Sequence, residues 1–376
     1  MDFGFDEQQQ EVRALARRIL SEQVDARRLA AYDEYRQPRF DAALWQQLCG
    51  AGLVGVAAAQ RHGGMGLGFT ELALLVEEVG RSIAPLPVIA HCTAALAIQQ
   101  FAADSLQEAL LPAANTGKLL LSAALAEPRN EDPARPLAVR AQRDGDALVL
   151  SGSKRAVAFA AEADRILLAA RVGDDVALVA LDPRAPGVAL SALQTTSFEP
   201  QCDIQLERVR VPAADVVCPS RGEDAMNWLA QRVTAAICAH QLGAADCAMR
   251  MAASYTSERR QFGVPVATFQ AVGHRMADCY IDIECLRLTT YQAVSLLDSQ
   301  QCALTEVQIA KIWAGDTGHR VSYATQHVHG GTGIDRDYPL WRYCLWLRHN
   351  EMTLGCSAAQ VAALGQRLAV GEGLFS

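Results

Sequence analysis

No apolar run in the sequence approaches the roughly 18 uninterrupted residues of a membrane span. Long basic runs are absent as well, and the net charge is −8. The concentrated cationic footprint of a nucleic-acid-binding protein is therefore missing. Neither a CxxC nor an HExxH pattern occurs. His327 and His329 stand two apart beside two glycines without further ligand spacing, so no metal site is expected. The 11 cysteines are odd in number and scattered, which excludes a regular disulfide framework and predicts reduced, mostly buried small apolar residues. The N-terminal stretch MDFGFDEQQQEVRALARRIL lacks a basic region followed by an apolar core and a small-residue cleavage site. That predicts no signal peptide and a cytoplasmic protein. Internal repeats and low-complexity tracts are not found.

What is present is ordinary globular material: 376 residues, 51% hydrophobic and 20% charged, enough for two or three domains around a large core. Residues 5–117 repeat apolar positions at three and four spacing, as in EQQQEVRALARRIL and FTELALLVEEVGRSI. That is helical periodicity, and Gly63, Gly64 and Gly66 mark a loop within it. From residue 118 the pattern changes. LAVRAQRDGDALVLSG gives two short apolar runs around Asp144-Gly145, ILLAARVGDDVALVALDP gives two more around Gly-Asp-Asp, and CDIQLERVRVP alternates. From about residue 221 helices return. WLAQRVTAAICAHQLGAADCAMRMAASYTSERR is apolar almost all round toward its middle, which predicts burial in a bundle or between subunits. Further helices are expected near 268–299, 303–328 and 341–371. The order predicts an α+β, mostly α, fold with segregated layers. It divides into an N-terminal helical domain at 1–117, a middle antiparallel β domain at 118–220 and a C-terminal helical bundle at 221–376.

Two stretches carry more specific text. SERRQFGVPVATFQAVGHRMADCYID, residues 257–282, resembles the acyl-CoA dehydrogenase signature, an Arg-x-x-Phe-Gly followed by Phe-Gln on the next helix. HVHGGTGIDRDYPLWRY, residues 327–343, resembles that family's second signature, a His-Gly-Gly-x-Gly loop followed by Tyr-Pro. LWQQLCGAGLVGVAAAQRHGGMGLG is similar to its N-terminal domain. The resemblance covers nearly the whole chain. It implies an FAD-dependent acyl-CoA dehydrogenase fold with a C-terminal four-helix bundle serving oligomerisation and FAD contacts, usually in a tetramer acting on acyl-CoA thioesters. By that resemblance Arg259 reaches the pyrophosphate of an FAD held mainly by a neighbouring subunit, a role suited to a permanently charged, forked donor. Gln261, Phe262 and Gln270 match the adenosine and diphosphate contacts. Gly330 and Gly331 match a loop where backbone approaches the nucleotide, as only glycine permits. The family's glutamine there falls on His327, with Gln326 one place away.

The resemblance breaks down where the reaction occurs. The family removes an α-proton with a carboxylate in an apolar pocket. Its usual position, sixteen residues beyond the Tyr of Tyr-Pro and within Glu-Gly-Thr, counts from Tyr338 to Leu354, followed by Gly355 and Cys356. The alternative position on the long helix, counted back from Tyr255, is Val233. Neither can accept a proton. In the β segment, AEPRNEDP keeps only Glu127 and Pro128 of the Thr-Glu-Pro-Gly-x-Gly-Ser-Asp run. In SGSKRAVAFAA, Ala156 and Ala158 replace the tryptophan and threonine that meet the isoalloxazine.

The losses fall on the flavin-ring and base positions, while the residues reaching toward a neighbour's FAD are kept. The chain thus resembles the degenerate partner in α2β2 heterotetrameric acyl-CoA dehydrogenases of bacterial steroid side-chain breakdown, and the partner expected is a homologous subunit. A wide cavity for a bulky, polycyclic acyl group follows from the same resemblance. Three other readings stay open. One is a self-sufficient homotetramer with Glu351 as relocated base, although Glu351 beside Arg348 reads more readily as an exposed helix carboxylate. Glu223 and Asp224 are weaker candidates and suit the first turn of a helix. The other two are a flavin oxidase or monooxygenase, and an acyl-CoA-binding scaffold.

Overall fold

The computed structural model describes residues 4–130 and 132–371; residues 1–3, Glu131 and residues 372–376 lie outside it. The helix–strand–helix order is present. Helices α1 (Glu7–Gln23), α2 (Ala26–Ala30), α3 (Ala42–Gly50), α4 (Phe69–Ser82), α5 (Val88–Phe101) and α6 (Asp104–Asn115) come first. Strands β1 (Leu121–Ala124), β2 (Arg140–Asp144), β3 (Ala147–Ala158), β4 (Arg165–Val172), β5 (Asp175–Leu181), β6 (Val188–Leu193), β7 (Gln201–Val211) and β8 (Val216–Cys218) follow. Then come α7 (Gly222–Glu258), a small hairpin of β9 (Arg260–Gln261) and β10 (Val264–Pro265), α8 (Gln270–Asp298), α9 (Leu304–His329), α10 (Leu340–Met352) and α11 (Ser357–Ala369). No helix among the described residues is long and apolar enough to cross a membrane.

The chain packs as two compact units: residues 31–72 with 85–233, and residues 1–30 with 73–84 and 234–376. The first holds the sheet, ordered β6-β7-β3-β2-β4-β5-β8, with β1 beside β4. Both expected hairpin turns form. Asp144 pairs with Ala147 across Gly145-Asp146, and Val172 pairs with Asp175 across Gly173-Asp174, with Gly145 and Gly173 at positive φ. Antiparallel pairing dominates, as the alternating pattern predicts. Two contacts depart from it: β1 and β2 each run parallel to β4, which makes the sheet mixed. The β2–β3 hairpin lies between β1 and β4 in sequence and supplies the long crossover that parallel pairing requires. Strands β4 and β5 are buried almost without interruption, because both their faces are covered. Leu148, Leu150, Ile166, Leu168, Val179 and Ile204 form the core on one face.

In the second unit α7 is buried at every residue from Thr234 to Asp246, as its all-round apolar pattern predicts. Glycines let α4 approach it closely. A β-carbon at Gly80 would overlap the carbonyl of His240, and one at Gly243 would overlap the carbonyl of Glu77. This crossing seats Arg81 of α4 against Glu77, Glu78 and Asp246. Burial alone would raise the carboxyls of Glu78 and Asp246, but the surrounding arginines outweigh it and hold both below the usual carboxylate range. Residues 341–371, periodic enough to read as one helical stretch, form two helices. Leu354 and Gly355 both take positive φ between them (56° and 90°), which no helix accommodates.

The Gly243→Ala variant is expected to lose about 1–3 kcal/mol through overpacking, despite the gain of about 1 kcal/mol in helix propensity. Urea unfolding measures it, and an unchanged midpoint would contradict backbone contact at this crossing.

Candidate functional site

Both signature segments lie in the second unit and meet there. The hairpin after α7 turns through Phe262 and Gly263, both at positive φ (54° and 82°), with Gln261 paired to Val264. Two central residues at positive φ make a type I′ turn, for which Asn-Gly is the comfortable sequence. Here a phenylalanine takes the strained position, at a cost of about 1–2 kcal/mol. The residue is also 95% exposed, and its ring meets Phe269 edge-on at 6.2 Å between centroids. Arg259, Gln261 and Gln270 are exposed beside it.

The Gly330 loop sits against the end of α7. Tyr255 stacks on His329 at 4.3 Å, and its hydroxyl lies 3.4 Å from the His329 carbonyl and the Thr332 hydroxyl. His329 is buried, contacts Tyr338 through Nε2 at 3.1 Å and bonds the Thr325 carbonyl through Nδ1. Burial holds its imidazole below the ordinary pKa, so it is neutral near pH 7. His327 is exposed and bonded by Arg275 of α8. These two histidines are thus committed to different partners rather than to one metal. Gly330 closes α9 with φ 59° and ψ −135°, a conformation open essentially to glycine alone. A β-carbon at Gly330 or Gly331 would meet nothing within 4 Å, so this backbone is open to a ligand. Gln326 is half-buried, with its backbone against Gly333. Arg275 escaped the sequence reading, since nothing in a lone helix arginine announces its reach to His327.

The positions matched to a base tell a different story. Leu354 is half-buried in the α10–α11 turn, and its carbonyl accepts from Gln360 at 2.8 Å. The turn is held firmly from behind. Lys311, fully buried, donates to the carbonyls of Asn350 and Glu351 at 2.8 and 3.0 Å and so caps α10. Gln241 donates to Ala314 and Leu347, and accepts from Asn350 at 2.9 Å. The carboxylate of Glu351 is bonded by Arg348, with His319 3.5 Å away. In the other unit, Val233 is buried next to Arg232, whose guanidinium lies 3.5 Å above the Trp228 ring centroid. Glu223 and Asp224 occupy the first turn of α7, where Asp224 is bonded by Arg221 at 2.9 Å.

In the sheet, Glu127 and Lys154 form a buried ion pair at 2.8 Å, and Glu127 also accepts from the backbone of Leu137 and Ala138. Burial would raise the Glu127 carboxyl, but the Lys154 charge and these donors prevail and keep it ionised. Glu127 is therefore structural. Ala156 sits in a β-bulge at φ 49°, with its N–H bonded to Asp203, and the Ala158 carbonyl accepts from Ser122. No side chain longer than a methyl is presented at either place. The exposed hairpin and the open Gly330–Gly331 backbone fit a phosphate-bearing cofactor.

The family models for the acyl-CoA dehydrogenase N-terminal and C-terminal domains match residues 6–118 and 221–369. The chain is 34% identical to acyl-CoA dehydrogenase FadE27 of Mycobacterium tuberculosis, over 98% of this chain and 99% of that protein. It superposes on a chain of the ChsE4-ChsE5 complex from Mycobacterium tuberculosis with TM-score 0.93 and 33% identity, covering 98% of this chain and 99% of that one. A variant of the Tcur3481-Tcur3483 steroid ACAD gives TM-score 0.90 and 38% identity over 97% of this chain and 98% of that one.

Replacing Lys154 with methionine strands a buried carboxylate and is expected to cost about 3–5 kcal/mol. Because the folded-state pKa of Glu127 is depressed, its contribution is complete above the unfolded value and fades as pH falls through the folded one. The deficit of Lys154→Met is thus largest at neutral pH and shrinks in acid, where protonated Glu127 no longer needs its partner. Unfolding midpoints across pH check both the size and the sign.

Proposed function

The chain belongs to the acyl-CoA dehydrogenase family, FAD-dependent oxidoreductases acting on CH–CH bonds, and we propose that within it this chain is the partner subunit of a heterotetramer. It extends Arg259, Gln261, Phe262 and Gln270 toward the FAD of a homologous subunit and carries no base of its own. The observation that carries this reading is the hairpin tip. Phe262 is strained and almost fully exposed, and neither property benefits the isolated chain. A partner's cofactor and surface give both a purpose. Leu354 supports the same conclusion, since the turn that presents the family's base survives with a side chain unable to take a proton.

When bound, FAD would supply the acceptor for the hydride that leaves the acyl β-carbon. The residues of this chain would then act on its phosphates. The Arg259 guanidinium neutralises charge and orients the diphosphate through paired donors. Gln261 and Gln270 supply amide donors, Phe262 covers an aromatic or apolar face, and Gly330 and Gly331 let main chain approach with Gln326 and His327 beside them. Two similar structures are complexes of differently named chains, and one is described as a steroid enzyme. That supports a homologous partner and a bulky steroid side-chain thioester as the substrate. Glu351 competes for the role of base. Its carboxylate is already engaged by Arg348 and His319, which supports a structural role.

Two variants of the assembled complex test this. Arg259→Ala should lose FAD on gel filtration, with affinity down by about tenfold or more for one charge-assisted contact. Retention of wild-type flavin content would contradict the cross-subunit contact. Glu351→Gln should keep turnover within about twofold, whereas a loss of 10²-fold or more, the scale of a missing general base, would identify it as that base.

A further inference from the structure

Five arginines line one open cavity of about 590 Å³: Arg13 and Arg17 from α1, Arg81 from α4, Arg250 from α7 and Arg287 from α8, with Asp246 among them. All belong to the second unit. None of them lies in the Phe262 hairpin or the Gly330 loop.

The acidic partners are set behind the arginines. Glu77, Glu78 and Asp246 are almost completely buried, while the guanidinium groups reach solvent to degrees from about one fifth (Arg81) to two thirds (Arg250). Guanidinium groups therefore make most of the charged lining of the cavity, with Asp246 the one carboxylate among the lining residues. Holding the crossing of α4 and α7 requires far less than this set. Arg81 alone spans all three carboxylates, and Arg13 and Arg17 both bond Glu78. Arg250 gives only its Nε to Asp246, at 2.9 Å. Arg287 gives its Nε to Glu284, a more exposed carboxylate, at 3.2 Å. Its two terminal nitrogens stand 3.6 and 4.0 Å from Glu77 and Asp246, too far for hydrogen bonds. The terminal nitrogens of Arg250 and Nη1 of Arg13 and Arg17 have no hydrogen-bond partner among the described residues. Counting Glu284, five positive charges face four negative ones, in a chain whose net charge is −8. A local cationic excess with unused forked donors is thus not a by-product of a basic protein.

We propose that this cavity binds a compact polyanion with adjoining phosphates, a diphosphate either free or as part of a nucleotide. Guanidinium forks match phosphate oxygens in pairs, and several such forks converging on one cavity favour a ligand with two charged centres over a single small anion. The volume lies within the range of roughly 300–1,000 Å³ for small-molecule sites and leaves room for a nucleoside beside the diphosphate.

The test is isothermal titration of the full-length chain with inorganic pyrophosphate and, separately, with ADP at low salt, with sulfate at matched ionic strength as the control. Both ligands should bind more tightly than sulfate. Equal affinities assign the site to the diphosphate itself, and ADP binding tighter by about tenfold assigns it to a nucleotide; either outcome upholds the proposal. The double variant R17Q/R250Q should weaken binding by about tenfold or more. If that variant does not fold, R17K/R250K keeps both charges and ion pairs but lacks the forks, and should weaken binding several-fold. No binding, binding matched by sulfate, or affinity unchanged in the folded variant would overturn the assignment.

Discussion

The contact on which the rest of the helical unit depends is the crossing of α4 and α7. Two glycines, Gly80 and Gly243, remove the side chains that would hold the backbones apart. The close approach sets Glu77, Glu78 and Arg81 against Asp246. The Tyr291 hydroxyl reaches Glu77 at 2.5 Å and the Tyr343 hydroxyl donates to the Arg81 carbonyl, so α8 and α10 are tied to the same point. Gln241, one turn along α7, then fixes α9 and α10 through Ala314, Leu347 and Asn350. Such buried polar contacts are costly when partly broken, which makes them devices of specificity as much as of stability. The α10–α11 turn inherits its rigidity from this network through Lys311, although the residue displayed there, Leu354, is inert.

What is kept is outward-facing: a strained hairpin, an exposed arginine and two amides, and a glycine loop open to approach. Positions 354 and 233 hold leucine and valine, and positions 156 and 158 hold alanines, so none of the four offers a titratable group or a large ring. Glu127 and Lys154 form a buried ion pair within the sheet unit.

The sequence made the helical and strand periodicities legible, together with both hairpin turns and the buried middle of α7. Each is a local signal of spacing or turn chemistry. The parallel pairing of β1 with β4 was not legible, because a crossover leaves no local mark. Nor was the break at Leu354-Gly355, where tertiary contacts hold a leucine at positive φ within an otherwise helical pattern. At the candidate site the motifs named Arg259, Phe262 and Gly330, but only the structure revealed the exposure and strain of Phe262. Arg275, Lys311 and the five-arginine cavity assemble residues distant in sequence, which no spacing rule brings together.

The most direct test of the central claim is FAD content. The chain would be purified alone and after co-expression with a homologous acyl-CoA dehydrogenase subunit, and FAD per chain read from visible absorbance. The account predicts flavin-free protein alone and about one FAD per two chains in the complex. A full FAD on each chain of the protein purified alone would contradict it.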